Sequence, residues 1–312
     1  MIQTNIWFWV GFVGFVLAML ALDLGVFHRR AHEVRPKEAS IWTVVWVTLA
    51  FVFAAGLFYF YGREVSLTFL TGYVIEESLS VDNIFVIVLI FEYFRVPKNC
   101  QHRVLFYGIL GALVMRGAFI GLGAVLIARF HWILYIFGAM LVVTGIRMAI
   151  KKDEEFRGEE NAVVRLVRRL IPMTASYSGT HFFITERGRR LATPLLLVLI
   201  LVEFTDLIFA VDSIPAIFGV TTDPFIVFTS NIFAILGLRS LYFLLAAVVD
   251  RFYLLKYGLA VILTFVGVKM LGEKVFHIGI ATSLAVILGV LVVAVVASII
   301  WPKPQRETSA GT

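Results

Sequence analysis

The sequence has few of the residues on which soluble enzymes and secreted domains depend. It contains one cysteine, Cys100, in 312 residues, so a disulfide within the chain and a metal site built from several cysteines are both excluded. Charged residues make up 15% of the chain, against about 25% in typical soluble domains. A His-Glu-x-x-His motif is also missing, as is any pattern that pairs Ser or Cys with His for nucleophilic catalysis. The sequence therefore predicts that the protein is not an enzyme.

Long apolar segments dominate what the sequence does contain. Hydrophobic residues make up 60% of the chain and the mean hydropathy is +0.94, values typical of an integral membrane protein. Nine segments are long enough to cross a bilayer, which takes roughly 17 to 25 residues. These predicted spans are Ile6–Phe27, Ile41–Tyr61, Leu67–Phe94, Val104–Ala128, Trp132–Ile150, Pro194–Phe218, Phe225–Val249, Leu254–Leu271 and Ile278–Trp301. The predicted fold class is an all-α polytopic membrane protein in one domain, 1–312.

Positive charge is distributed unequally between the two sets of connections. The net charge is +6, but the 27 Lys and Arg residues do not form one soluble basic face, so nucleic acid is not an expected partner. Most of them lie in or beside 28–39, 95–103, 147–193, 250–256 and 301–312. The alternate connections hold only Arg63, Arg129 and Lys274. The positive-inside rule then places the N-terminus outside and the C-terminus in the cytoplasm.

Two of the predicted spans carry carboxylates in the middle of apolar sequence. The third span contains Glu76, Glu77, Asp82 and Asn83, and the sixth contains Glu203, Asp206, Asp212 and Ser213. A charge within a bilayer is costly, so such residues indicate a functional site. A shift of 130 residues superposes the two motifs, pairing Asp82 with Asp212, Glu76 with Asp206 and Asn83 with Ser213. The acidic motif is therefore duplicated.

The duplication extends over three spans. SNIFAILGLRS matches YGILGALVMRG at an offset of 123, which aligns Arg239 with Arg116. YGLAVILTFVGVKM matches YIFGAMLVVTGIRM at an offset of 122. Spans three to five (67–150) and six to eight (194–271) then form two repeat units. Because the units begin three crossings apart, they enter the membrane in opposite directions, the inverted repeat that many secondary transporters use to build a site near the midplane.

Helix geometry predicts a local break in each motif. At about 100° per residue, Glu76 and Asn83 share a face of the helix, whereas Asp82 points about 120° away. Pro215 removes a backbone hydrogen bond just beyond Asp212. We therefore expect the helices to unwind near 80–83 and 212–215, which would let the aspartates turn toward one ion.

The residue types in the motifs predict an oxygen-liganded cation. The candidate ligands are Glu76, Asp82, Asn83, Asp206, Asp212 and Ser213. Carboxylate, amide and hydroxyl oxygens suit Mn²⁺, Ca²⁺ or Mg²⁺ better than soft metals. Arg116 and Arg239 are candidate counter-charges, although purely structural pairing remains open. Glu77 and Glu203 have no copy in the other unit, and proton coupling, access to the site and simple hydrogen bonding between helices remain open for them.

The long connection at 151–193 is predicted to be cytoplasmic. Its stretch Asn161–Met173 has the pattern of a basic amphipathic helix lying on membrane lipids. Ser176–Thr193 is compatible with an extended hairpin or with a gate over the inner mouth of the bundle. The tail at 302–312 is predicted to be disordered.

The two acidic motifs also resemble a known family. EESLSVDNIFV together with EFTDLIFAVDSIPA is similar to the TerC family of integral membrane proteins, in its Alx-like branch and in the wider LysE-type transporter superfamily. The resemblance runs from Ile6 to Trp301. It implies a bacterial inner-membrane protein of metal-ion homeostasis, with manganese export as the leading activity and an association with tellurium resistance. The acidic positions of the family fall on the six candidate ligands above.

The resulting expectation is a manganese exporter that works by alternating access between the two three-helix units. Protons would compete with the divalent ion for the same carboxylates and could drive its release. No permanently bound cofactor is expected, the oligomeric state is open, and divalent metal ions and membrane lipids are the expected partners. The alternatives are a membrane-embedded assembly or metallation helper for other proteins, a tellurium-resistance factor without direct transport, and an intramembrane metal-dependent enzyme.

Overall fold

The computed structural model describes residues 6–22, 36–150, 161–186, 188–246, 252–275 and 277–301. The predicted disordered tail, 302–312, and residues 23–27 of the first predicted span lie outside these ranges. The described part contains ten helices and one two-stranded sheet. In chain order they are α1 (Ile6–Leu22), α2 (Pro36–Tyr61), α3 (Arg63–Tyr93), α4 (Lys98–Arg129), α5 (Ile133–Ile150), α6 (Ala162–Leu170), β1 (Phe183–Glu186), β2 (Arg189–Ala192), α7 (Pro194–Phe218), α8 (Pro224–Leu245), α9 (Leu255–Leu271) and α10 (Ile280–Ile300).

The helices agree with a polytopic all-α membrane protein. By length and composition, six of the described helices can cross a membrane, namely α2, α4, α5, α7, α8 and α10. Helix α3 is also long, at 31 residues, but carries the first acidic motif. Helices α1 and α9 have 17 residues each. The count of nine crossings therefore stays a prediction.

Helices α3 and α7 run without interruption through both acidic motifs. The unwinding expected near 80–83 and 212–215 is therefore wrong. Pro215 lies in the last turn of α7, where the loss of one backbone hydrogen bond does not stop the helix. The motif side chains also need no freed carbonyls, because an arginine from α4 contacts both motifs, as described below.

Glycines allow α5 and α9 to pack closely. A Cβ atom at Gly267 would lie 2.6 Å from the carbonyl oxygen of Gly138, and one at Gly145 would lie 2.7 Å from that of Ala260. Small residues of this kind let the backbones of two membrane helices approach each other. A shift of 122 residues takes Gly145 to Gly267 and Gly138 to Ala260, so both contacts use equivalent positions of the two predicted repeat units. The two helices run antiparallel through this α5–α9 glycine contact.

Helix α8 lies at the centre of the bundle. It packs against α2, α3 and α4, and 94% of its most apolar window is buried within the protein. Phe233 of α8 lies 5.0 Å from Phe53 of α2 and 5.8 Å from Phe69 of α3, measured between ring centroids. These aromatic contacts hold α8 against α2 and α3. Helix α4, which also packs on α8, packs on α7 as well.

The segment 161–193 contains a short helix and a hairpin. Helix α6 lies within the predicted amphipathic stretch and follows its N-cap Asn161, whose side chain accepts a hydrogen bond from the backbone N–H of Val163 at 2.9 Å. Val164 and Val167 are buried in the core of the protein, so this face of α6 packs on protein, whereas the sequence predicted that it lies on membrane lipids. Strands β1 and β2 pair antiparallel, so of the two predicted alternatives the extended hairpin is observed.

The residues between α6 and the hairpin dock on the turn between α3 and α4. The hydroxyl of Tyr177 donates to the carbonyl oxygen of Phe94 at 2.8 Å, and Arg103 Nη1 donates to Thr180 Oγ1 at 2.9 Å. Burial raises the pKa of Tyr177 to about 12, so its phenol keeps the proton that it donates. The segment that leads into α7 is therefore held against the end of α3 and the start of α4.

Candidate functional site

Polar side chains from four helices meet inside the bundle. This polar cluster consists of Glu76 and Asn83 of α3, Arg116 of α4, Asp206 and Ser213 of α7, and Asn231 of α8. Each of the six residues is at most 5% exposed. Buried charges are costly unless they are paired and hydrogen-bonded, so the arrangement of these groups is decisive.

Arg116 joins the two acidic motifs. Its Nη1 atom donates to Glu76 Oε1. Its Nε and Nη2 atoms donate to the two carboxylate oxygens of Asp206 at 3.1 and 2.8 Å, the two-pronged geometry that favours Arg over Lys. Since a guanidinium stays protonated in proteins, Arg116 places one positive charge between the two carboxyl groups. Arg116 thus has the position expected of a counter-charge.

Amides complete the contacts of each carboxylate. Asn231 Nδ2 donates to Glu76 Oε2 at 3.1 Å, and Asn83 Nδ2 donates to Asp206 Oδ1 at 3.0 Å. Arg116 Nη1 also lies 3.2 Å from Asn231 Oδ1 and 3.4 Å from Ser213 Oγ. Each motif carboxylate is therefore held by the shared arginine and by one amide.

Two predicted ligands lie apart from this cluster. Asp212 accepts a hydrogen bond from Thr144 Oγ1 of α5 at 3.0 Å. Asp82 is half-buried on α3, and no hydrogen bond described for the polar cluster involves it. The unbroken helices explain the separation, because Asp82 projects from a different face than Glu76. Within the described ranges, no three His, Cys, Asp or Glu side chains are arranged to hold a metal ion.

A small cavity lies beside Asp206. Its volume is about 20 Å³, enough for one water-sized species, and Asn83 and Glu203 also line it. Among the described residues, Asn83 Oδ1 and Glu203 Oε2 are buried oxygen atoms that have no hydrogen-bond partner. Such atoms are expensive to leave unpaired. The wall of the cavity therefore suits a hydrogen-bond donor or a cation.

Two glycines of α4 lie beside the cavity and beside Glu203. Gly108 lines the cavity and is equivalent in the repeat to Asn231, which bonds to Glu76 on the other side of the cluster. The Glu203 carboxylate packs directly on Gly111, where any Cβ atom would collide with it. The two sides of the cluster thus differ, since an amide fills one side and an open space remains on the other.

The remaining predicted residues make no described hydrogen bond to the polar cluster. Glu77 accepts a long hydrogen bond from the Tyr73 hydroxyl at 3.5 Å and lines a largely apolar cavity of about 380 Å³ between α3, α8, α9 and α10. Arg239 is buried on α8.

Sequence reasoning missed Asn231 as a site residue. Its side chain is fully buried and contacts both Glu76 and Arg116. An amide in the middle of an apolar span is a signal that could have identified it. Comparison of the two motifs did not identify Asn231, because the equivalent position in the first unit is Gly108, which has no side chain.

Comparison with known proteins gives a consistent result over most of the chain. The model of the integral membrane protein TerC family matches residues 61–307. A Myxococcus xanthus membrane protein designated STKORF319 is 56% identical over 302 residues, which cover 97% of this chain and 95% of the relative. An Escherichia coli (strain K12) protein named as a membrane-bound redox modulator, Alx, is 53% identical over 312 residues, which cover 97% of each chain. No solved structure matches the chain.

Proposed function

Because the chain belongs to the TerC family of integral membrane proteins, we propose that it transports divalent metal ions, with manganese exported from the cytoplasm as the cargo. One observation carries the proposal. Glu76 and Asp206, equivalent carboxylates of two duplicated motifs, meet in one buried cluster beside a cavity with unpaired oxygen atoms. Intramembrane carboxylates of this kind mark ion pathways.

The oxygen atoms around the cavity define the proposed cargo site. Asp206, Asn83 and Glu203 offer carboxylate and amide oxygens to a cation. Hard oxygen ligands suit Mn²⁺, Mg²⁺ and Ca²⁺, and the family resemblance favours manganese among these. Glu76 and Ser213 lie on the far side of Arg116 and would join as the site rearranges. Asp82 and Asp212 would reach the ion only in a conformation with broken helices.

The helix contacts support an inverted repeat and movement by alternating access. Helices α5 and α9 correspond to each other in the two units, and they meet antiparallel through equivalent positions. Helix α3 corresponds to α7 and α4 to α8, so the contact of α3 with α8 is equivalent to the contact of α7 with α4. We propose that the units α3–α5 and α7–α9 rock against each other around the polar cluster. The distribution of Lys and Arg supports a cytoplasmic location for the 161–193 side, in a protein of the bacterial inner membrane.

Protons are the proposed counter-substrate. A proton and a divalent ion compete for the same carboxylate oxygens, so protonation would release the cargo. Glu203 lines the cavity and is the proposed access and coupling residue. Glu77 borders a separate apolar cavity and is the less direct candidate. The single cysteine excludes a redox role by dithiol exchange within the chain, so redox modulation of the kind named for the Alx relative would act here through metal content.

The test is Mn²⁺ flux in sealed vesicles that contain the purified, reconstituted protein. We expect flux in the wild type, saturation with Mn²⁺, and a change in rate when a pH gradient is imposed. Vesicles without protein are the control for leakage. Folded wild-type protein that moves neither Mn²⁺ nor another divalent ion would contradict the proposal and favour the assembly or metallation helper.

Substitution of Gly111 by alanine should reduce this flux. The added methyl group would occupy the space of the Glu203 carboxylate and force it out of its present position. We expect Gly111→Ala to slow Mn²⁺ flux to the level of Glu203→Gln. Gly121→Ala on the same helix is the matched control, because a Cβ atom there meets nothing within 4 Å. Normal Mn²⁺ flux in Gly111→Ala would show that Glu203 is not part of the ion pathway.

A further inference from the structure

Arg116 occupies the place between the two motif carboxylates where a bridging cation would be bound. Its guanidinium donates to Glu76 on one side and makes two hydrogen bonds to Asp206 on the other. It also contacts Ser213 and Asn231, so all of its described partners belong to the polar cluster. The side chain is 2% exposed, which prevents water from substituting for these contacts.

We infer that Arg116 is a tethered cation that competes with the cargo for Asp206 and thereby selects divalent over monovalent ions. The inference rests on the proposed transport function and adds a specificity-determining residue to it. Asp206 is the shared element, since it holds the guanidinium and also lines the cavity beside Asn83 and Glu203. An ion bound in that cavity must draw on the carboxylate that Arg116 already uses.

The charges of the cluster give the physical basis of the selection. Coulomb attraction to the carboxylates is proportional to the charge of the ion, so a divalent ion is attracted twice as strongly as a monovalent ion at the same distance. A monovalent ion that replaces the guanidinium leaves the net charge unchanged and forfeits the hydrogen bonds of the arginine. A divalent ion beside Asp206 and Glu203 brings one more positive charge than the guanidinium that it displaces, which offsets the loss of these bonds.

The same competition provides a route for release. When the cargo leaves, Arg116 returns to both carboxylates and prevents them from remaining buried without a counter-charge, a state that is strongly destabilising. Removing the guanidinium should therefore make the cargo bind more tightly and leave more slowly. Lysine retains the charge but cannot bridge two carboxylates in the same way, so it should compete less well than arginine.

The experiment measures Mn²⁺ binding to the full-length purified protein from the loss of the free Mn²⁺ signal in electron paramagnetic resonance. We expect Arg116→Met to bind Mn²⁺ roughly tenfold more tightly than the wild type, within the usual range of coupling between competing ligands. Na⁺ should displace Mn²⁺ from Arg116→Met at concentrations that leave the wild-type complex intact. Mn²⁺ flux in vesicles should fall in the same variant because release is slow.

Two further variants keep the test decisive. Arg129→Met places the same substitution in the exposed last turn of the same helix and should bind Mn²⁺ with wild-type affinity and selectivity. Arg116→Lys keeps a positive charge in the cluster and replaces Arg116→Met in the test if the methionine variant does not fold. Its Mn²⁺ affinity should lie between those of the wild type and the methionine variant.

The failures of the two proposals are distinguishable. Wild-type protein that binds and transports Mn²⁺, combined with folded Arg116 variants whose Mn²⁺ affinity and Na⁺ sensitivity are unchanged or weaker, would overturn the role of Arg116 alone. Wild-type protein that binds no divalent ion would overturn the transport function and this inference together.

Discussion

Asparagine in place of Asp206 is expected to abolish Mn²⁺ flux and to lower the free energy of unfolding by about 3–5 kcal/mol, the usual cost of leaving a buried charge without its partner. Asp206 accepts two hydrogen bonds from Arg116 and one from Asn83. The asparagine has nearly the same shape, but it brings an amide donor and no negative charge. Arg116 would then retain only Glu76 as an ionic partner.

The matched control for Asp206→Asn is Asp212→Asn on the same helix. The Asp212 carboxylate accepts one hydrogen bond from Thr144 and lies apart from the polar cluster. We expect Asp212→Asn to retain most of the flux and nearly all of the stability. Flux would be followed in reconstituted vesicles, and stability by unfolding in mixed micelles with increasing denaturing detergent. Equal loss of flux in both variants would favour the six-ligand site predicted from the sequence and a conformation with unwound helices.

Substitution of Gly267 by alanine is expected to destabilise the protein by about 1–3 kcal/mol, the range observed when atoms are added to a closely packed interior. The new methyl group would lie 2.6 Å from the carbonyl oxygen of Gly138 and 2.9 Å from the backbone nitrogen of Val142. Both contacts are to backbone atoms of α5, which cannot rotate away. The two helices would have to separate, and leucine at the same position should prevent folding.

The repeat supplies a second variant and α10 supplies the control. Gly145→Ala should cost a similar free energy, because the equivalent Cβ atom would lie 2.7 Å from the carbonyl oxygen of Ala260. Gly289→Ala should be neutral or slightly stabilising, since nothing lies within 4 Å of its Cβ position and alanine favours helix. Thermal unfolding in detergent measures all three. A tolerated Gly267→Ala would show that α5 and α9 are free to move apart.

The sequence was most informative about helix positions, for identifiable reasons. The predicted span Pro194–Phe218 has the same bounds as α7, because Pro194 stands at its first turn and Gly219 follows its end. Asn161 was predicted to begin the amphipathic helix, and it is the N-cap of α6. Helix α4 instead begins six residues before its predicted span, since polar residues at the membrane surface extend a helix without adding hydropathy.

The site was less predictable because its partners depend on packing. The repeat identified Glu76, Asp206 and Arg116, and these three do come together. Periodicity also showed that Asp82 points away from Glu76 on a regular helix. The expected unwinding was meant to resolve that conflict, but the helices stay regular and Asp82 stays apart. Asn231 could not be assigned a partner from the sequence, because its partner Glu76 lies 155 positions away in the chain.

The enclosed position of α8 constrains how the chain can be assembled in the membrane. Among the six apolar helices it has the lowest hydropathy, 1.5, and it carries Asn231 and Arg239 in its interior. A nascent α8 surrounded by lipid would expose both polar groups to hydrocarbon. The helices that cover it, α2, α3 and α4, all precede it in the chain and leave the ribosome first. Insertion of α8 therefore depends on a groove that its own N-terminal neighbours have already formed, and biogenesis should stall at this helix when that groove is damaged.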